Sequence, residues 1–156
     1  MEIDVLDLVR SLPLGATAEV ELIVGDEHLA PDRGVLSTPR MIGLMEQASS
    51  RAIGPHIPSG WTTVGTEVCV RHLAATLPGE RVRSVAKLIE ARGRRLRFSV
   101  EAYNARGKIG EGTHERAVVH LERFKHGVGP SSREAASDSA ERRGQGPGDG
   151  DYSPKP

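Results

Sequence analysis

Cysteine is nearly missing from this chain of 156 residues. With Cys69 alone, no intrachain disulfide can form, and the composition suits a reducing compartment. Aromatic residues are scarce as well, at 3%, which leaves few platforms on which single-stranded nucleic acid could stack. Net charge is absent: 21 Lys and Arg balance 21 Asp and Glu, so no general field steers the chain onto nucleic acid or an anionic membrane. No apolar run approaches the roughly 18 residues of a membrane span. The N-terminal MEIDVLDLVR lacks the basic region and apolar stretch of a secretory signal. A soluble cytoplasmic protein, with neither nucleic acid nor membrane as partner, is the expectation.

What is present suffices for one domain with a core. The hydrophobic share of 37% leaves out 18 glycines, and adding them approaches the usual globular range. Composition changes after Lys125. Residues 1–125 carry the large apolar side chains, whereas His126–Pro156 is rich in Gly, Ser and Pro. Such a segment buries too little to offset its ordering entropy, so a disordered C-terminal tail is expected there.

Within residues 1–125, Thr17–Val24 reads as a strand and Gly25–Leu36 as a loop. A helix follows from Pro39 to about Ile53, with Thr38 suited to the N-cap and Pro39 to the first helical position. Met41, Leu44, Met45, Ala48 and Ala52 recur at three-four spacing and make one apolar stripe, and Gly54-Pro55 ends it. Thr62–Thr76, Arg81–Glu90, Arg95–Tyr103 and Lys108–Phe124 alternate like strands, with turns at 77–80, 91–94 and 104–107. A strand, a helix and a meander of four antiparallel strands define an α+β layer arrangement.

Two polar residues keep apolar company. Glu46 falls on the border of the helix stripe, near Ile42 and Ile53. It reads either as an edge glutamate reaching water or as a partly desolvated carboxylate fit for general-base work. His72 alternates in phase with Val64, Val68 and Val70, opposite Gly65, Glu67, Cys69 and Arg71. It is either a satisfied core histidine or, if its strand lies across the helix, a partner for Glu46. In the last strand His114, Arg116, Val118 and His120 share one phase. A metal site at His114, Glu115 and His120 is disfavoured, because that spacing on a strand gathers ligands poorly and no cysteine supports it. Arg116 reads as a surface arginine or as an anchor for a carboxylate, phosphate or polar acyl group. Gly107, Gly110 and Gly112 form no phosphate loop, and Ser49-Ser50 sits in the helix without a nucleophile elbow. Arg92, Arg94, Arg95 and Arg97 surround a turn, as a solvated hairpin tip or as contacts for a nucleotide's phosphates.

Three segments carry a family resemblance: Gly43-Leu44-Met45-Glu46, the strand Val64–Thr76 (VGTEVCVRHLAAT) and the run Gly112–Glu122 (GTHERAVVHLE). In this order and at this spacing they resemble the fluoroacetyl-CoA-specific thioesterases, over roughly Gly34 to Phe124. The resemblance implies a hot-dog fold, an antiparallel sheet wrapped around one long central helix. It also implies a homodimer binding acyl-CoA near the dimer interface. By motif, the catalytic threonine, glutamate and histidine correspond to Thr38, Glu46 and His72, with Thr38 eight residues before Glu46 as the family pattern requires. Gly65 takes the place of the glycine near the thioester carbonyl, and Arg116 that of the arginine near the acyl end. No metal and no cofactor are implied beyond the CoA thioester itself as substrate. One feature departs from the pattern: the fluoroacetyl-specific members have an extra phenylalanine-bearing lid before the helix. Here Gly25–Leu36 is short and contains no phenylalanine, so a different or broader acyl substrate is expected.

The expected activity is hydrolysis of a short or small acyl-CoA to the free acid and CoA thiol. The competing expectation is a non-catalytic hot-dog module that binds acyl-CoA or a partner. A hydratase or dehydratase lacks its recognisable Asp-His pairing, and a purely structural dimer leaves the polar trio unexplained.

Overall fold

The computed structural model describes residues 2–127, so of the expected tail all but His126 and Gly127 lies outside the described residues. The chain begins with a short helix, α1 (Val5–Ser11), where the sequence pattern suggested no element. The Asp4 carboxylate caps it by accepting from the Leu6 N–H at 2.7 Å, and its Leu8 and Val9 are buried. Seven residues give less than two full turns of periodicity, too few for the pattern to stand out. There follow β1 (Thr17–Ile23), α2 (Thr38–Ile53), β2 (Trp61–His72), β3 (Arg81–Arg92), β4 (Arg95–Asn104), β5 (Gly107–His120) and α3 (Leu121–Lys125). The expected last strand thus stops at His120, and its final residues turn into α3.

The five strands form one antiparallel sheet in the order β1-β3-β4-β5-β2. Only β3, β4 and β5 make a meander; β2 pairs with β5 rather than β3, which corrects the expected four-strand meander. The reason lies between His72 and Arg81. A two-residue hairpin forces its strands to be neighbours, but Leu73–Glu80 is a long crossing pinned elsewhere. The Thr76 carbonyl accepts from the Leu36 N–H at 2.9 Å, and the Gly79 N–H donates to the Val24 carbonyl at 2.7 Å.

The apolar stripe of α2 (Met41, Leu44, Met45, Ala48, Ala52) is buried, joined by Ile53. It lies on a floor made by alternate residues of the strands: Val20, Val82, Ala86, Leu88, Leu96, Phe98 and Val100. Each large side chain so buried stabilises by about 1.5–3 kcal/mol. The helix sits chiefly over β1 and β3, which leaves the β5–β2 half of the same face available for polar residues. Among the described residues no helix is long and apolar enough to cross a membrane.

Candidate active site

The polar residues gather along β2 and β5, beside α2. In the β2–β5 ladder Gly65 faces Arg116, Glu67 faces Glu115 and Val68 faces His114, so Thr66 is an extra residue that shifts the register. A bulge of this kind reverses which face the following residues occupy. Gly65 therefore lies on the helix-facing side together with Val68, Val70 and His72, and Val64 on the other. Uninterrupted alternation had put Gly65 opposite His72 and Val64 beside it; the bulge corrects both. A Cβ built on Gly65 would stand 3.3 Å from Glu46 Oε1, 3.3 Å from His114 Cε1 and 3.6 Å from Arg116 Nη1. Only a glycine gives this backbone such close company without displacing a side chain.

Helix α2 supplies the other wall. Its N-cap is Ser37, whose Oγ accepts from the Arg40 N–H at 3.3 Å, not Thr38 as the sequence suggested; Thr38 is the first helical residue. Relieved of capping, the Thr38 hydroxyl reaches across to β2 and meets His72 Nδ1 at 2.8 Å. His72 is half-buried, and its Nε2 is shielded from solvent with no hydrogen-bond partner. Burial lowers the His72 pKa from its ordinary value, partly offset by the Ala74 backbone. Burial therefore favours the neutral imidazole, with Nδ1 engaged by Thr38 and Nε2 buried without a partner.

Glu46 lies two turns further along α2, about 12 Å along the axis from Thr38. It is half-buried, at the stripe's border as its phase suggested. Among the described residues the structure places it beside Gly65, His114 and Arg116 rather than in contact with Thr38 or His72. A groove of about 600 Å³ opens here, lined by Gly43, Glu46, Gln47, Ser50, Arg51 and Arg116. Arg116 is 8% exposed. It donates from Nε to Thr63 Oγ1 and from Nη2 to the Thr63 carbonyl, both at 2.9 Å. This arginine is thus an anchored part of the groove rather than a surface residue.

Three readings from the sequence fall outside this strip or change their meaning. His120 packs edge-on against Trp61 with ring centroids 5.2 Å apart, and His114 is engaged by backbone and guanidinium, so the two do not converge on a common centre. Arg92, Arg94, Arg95 and Arg97 are exposed around the β3–β4 turn, and Arg97 stands 4.0 Å from Glu90. Ser49 is buried and donates back to the Met45 carbonyl at 2.9 Å, an internal bond of the helix. The residue whose part at the site the sequence did not show is His114; its shared phase with Arg116 was the available signal.

One layer of antiparallel sheet with a central helix laid across it defines a hot-dog-fold protein. A hot-dog-like protein from Thermanaerovibrio acidaminovorans shares that fold, with a TM-score of 0.66 at 22% identity over 92% of this chain and 99% of that one. The family model for fluoroacetyl-CoA-specific thioesterase matches residues 18–122, and the chain belongs to that family. It is 49% identical over 90 residues, 58% of its own length, to the fluoroacetyl-CoA thioesterase of Streptantibioticus cattleyicolor. The match spans 65% of that relative's length. A solved structure of a fluoroacetyl-CoA thioesterase mutant with acetyl-CoA superposes with a TM-score of 0.71 at 37% identity, covering 75% of this chain and 96% of that one.

Proposed function

We propose that this protein is a cytoplasmic acyl-CoA thioesterase that hydrolyses a short acyl thioester, working as a homodimer. The observation that carries this reading is the meeting of a substrate-accessible glycine, a carboxylate and a fixed guanidinium at Gly65, Glu46 and Arg116. The thioester carbonyl lies against Gly65, whose missing side chain admits it and whose N–H serves the developing oxyanion. Such a donor is worth about 3–4 kcal/mol. Glu46 takes the proton of a water that attacks the carbonyl, or attacks the carbonyl itself to form an anhydride. The C–S bond breaks as the tetrahedral intermediate collapses and the CoA thiolate recovers a proton; on the anhydride route a water then hydrolyses the anhydride, releasing the acid and restoring Glu46. His72, oriented by Thr38, assists that proton transfer, and Arg116 faces the acyl end.

Dimerisation bears on how the two halves of the strip cooperate. Strand β2 is one edge of the sheet, paired on one side only among the described residues, and its Val68 is exposed. Antiparallel pairing of two β2 edges about a twofold axis sets the His72 end of one strand beside the Gly65 end of the other. Each Glu46 would then have a Thr38–His72 pair from the partner nearby. The loop at 25–36 is closed on itself by paired Leu29 and Leu36 and holds no phenylalanine, which supports an acyl range not limited to a fluorinated group.

The test is free-thiol release from acetyl-, fluoroacetyl-, propionyl-, malonyl- and phenylacetyl-CoA by wild type and Glu46→Gln. Turnover that falls about 10²–10⁴-fold in the variant is expected. Binding of CoA esters without any turnover would replace the thioesterase with a non-catalytic acyl-CoA-binding module.

A further inference from the structure

His114 is 1% exposed, at mid-strand in β5, yet polar at both ring nitrogens. Its Nδ1 lies 2.8 Å from the Glu67 carbonyl oxygen, and its Nε2 lies 3.2 Å from Arg116 Nη1. A carbonyl can only accept, so Nδ1 carries the proton. A guanidinium can only donate, so Nε2 must offer its lone pair. Both contacts are met by one species alone, the neutral Nδ1–H tautomer. The imidazolium would aim an N–H at a cation.

We infer that His114 is a positioning residue for the proposed thioesterase site: as the neutral Nδ1–H tautomer it fixes the Nη1 end of the Arg116 guanidinium beside Gly65 and Glu46, and its protonation frees that end, leaving the arginine held by Thr63 alone. The inference rests on the reading of Arg116 as the residue facing the acyl end. The groups around the ring are consistent with it. From its own strand come Arg116 and Glu115, from α2 Glu46, from β2 the Glu67 backbone, and from β4 the apolar Phe98 paired with it. Burial is the largest influence and lowers the pKa, as does Arg116, while the Glu67 backbone, Glu46 and Glu115 raise it. The net direction is downward, towards the neutral form. With Thr63 holding Nε and Nη2 and His114 holding Nη1, three of the guanidinium's donors are committed to the protein. The remaining N–H groups stay for the groove, where Arg116 is a lining residue.

Two variants separate this role from simple packing. His114→Gln can donate to the Glu67 carbonyl and accept from Arg116 with one amide, and does not titrate; His114→Leu fills space and does neither. For the acyl-CoA turned over best, His114→Leu is expected to lose about tenfold or more in kcat/KM, mainly through KM, and His114→Gln about threefold or less. In an Arg116→Met background, His114→Leu should add less than twofold. Acidification should weaken discrimination between acyl groups in the wild type and not in His114→Gln. An equal loss from His114→Leu in both backgrounds, or no rescue by Gln, overturns the inference. A second measurement needs no turnover: ¹⁵N NMR of the histidine side chains in the full chain at pH 7. An Nδ1–H tautomer at His114, with the Arg116 Nη1 protons slower to exchange in wild type than in His114→Leu, supports it. An Nε2–H tautomer or an imidazolium overturns it, whatever the fate of the thioesterase reading.

Discussion

Gly65 and Arg116 stand opposite each other in the β2–β5 ladder, and the extra residue Thr66 is what keeps them on the same side as His72. The contact space at Gly65 gives a direct test. Gly65→Ala adds a methyl that must push on Glu46 and His114, each 3.3 Å away, two side chains at the proposed reacting centre. Because Gly65 is exposed, the expected result is a loss of about 10–100-fold in kcat/KM with Tm nearly unchanged. Gly112→Ala is the contrast. Its Cβ would fall 2.1 Å from the Cys69 carbonyl oxygen and 2.6 Å from Val70 Cα, backbone that cannot yield cheaply. About 1–3 kcal/mol of stability should be lost there. If Gly65→Ala unfolds the protein instead of disabling it, the glycine is structural.

Thr38 and Ser37 divide two tasks that neighbouring hydroxyls usually share. Ser37 caps α2, and Thr38 bonds His72. Ser37→Ala should therefore cost about 1 kcal/mol of stability and leave the chemistry intact. Thr38→Val keeps the shape, removes the hydroxyl and should lower kcat by about tenfold or more with little change in Tm, while Thr38→Ser restores most of it. Steady-state kinetics and thermal melts on the three variants suffice; a Thr38→Val enzyme with wild-type kcat leaves the hydroxyl without a role.

Acid should destabilise this fold through two histidines. Burial lowers the pKa of both His72 and His114 below the ordinary value of 6.5. Below pH 6.5 the unfolded chain accordingly binds protons that the native state refuses. Their contribution to stability is fully present above pH 6.5 and is lost as the pH falls through the folded-state values. Tm should decline from pH 7 towards pH 5, less steeply in His114→Gln. Equal slopes in the two proteins would show that His114 is not held neutral.

The sequence made the long helix and the strand count readable, because each rests on local periodicity. The stripe from Met41 to Ala52 is buried as its spacing indicates, and Glu46 lies at its border. What stayed hidden depends on pairing. Strand alternation assumes an unbroken period of two, so the bulge at Thr66 reversed the face assigned to Gly65. The placement of β2 beside β5 is set by the long crossing 73–80, which reads locally as just another turn. The part of His114 stayed hidden because its two partners, the Glu67 carbonyl and the Arg116 guanidinium, come from another strand's backbone and from two residues along its own.

Strand β2 should be where two copies meet. Its outer edge is unpaired among the described residues, and Val68, at its middle, is 38% exposed. An apolar residue on an open sheet edge favours pairing with a second strand. Val68→Asp would place two like charges close to the twofold axis, where each faces its own copy. Sedimentation should show a dimer for wild type and a monomer for the variant, with thermal melting still cooperative. If the active strip needs the partner's His72 end near Gly65, the monomer should also lose about 10²-fold or more in kcat/KM. A fully active monomer would place the whole reaction within one chain and leave Glu46 working at a distance from its own His72.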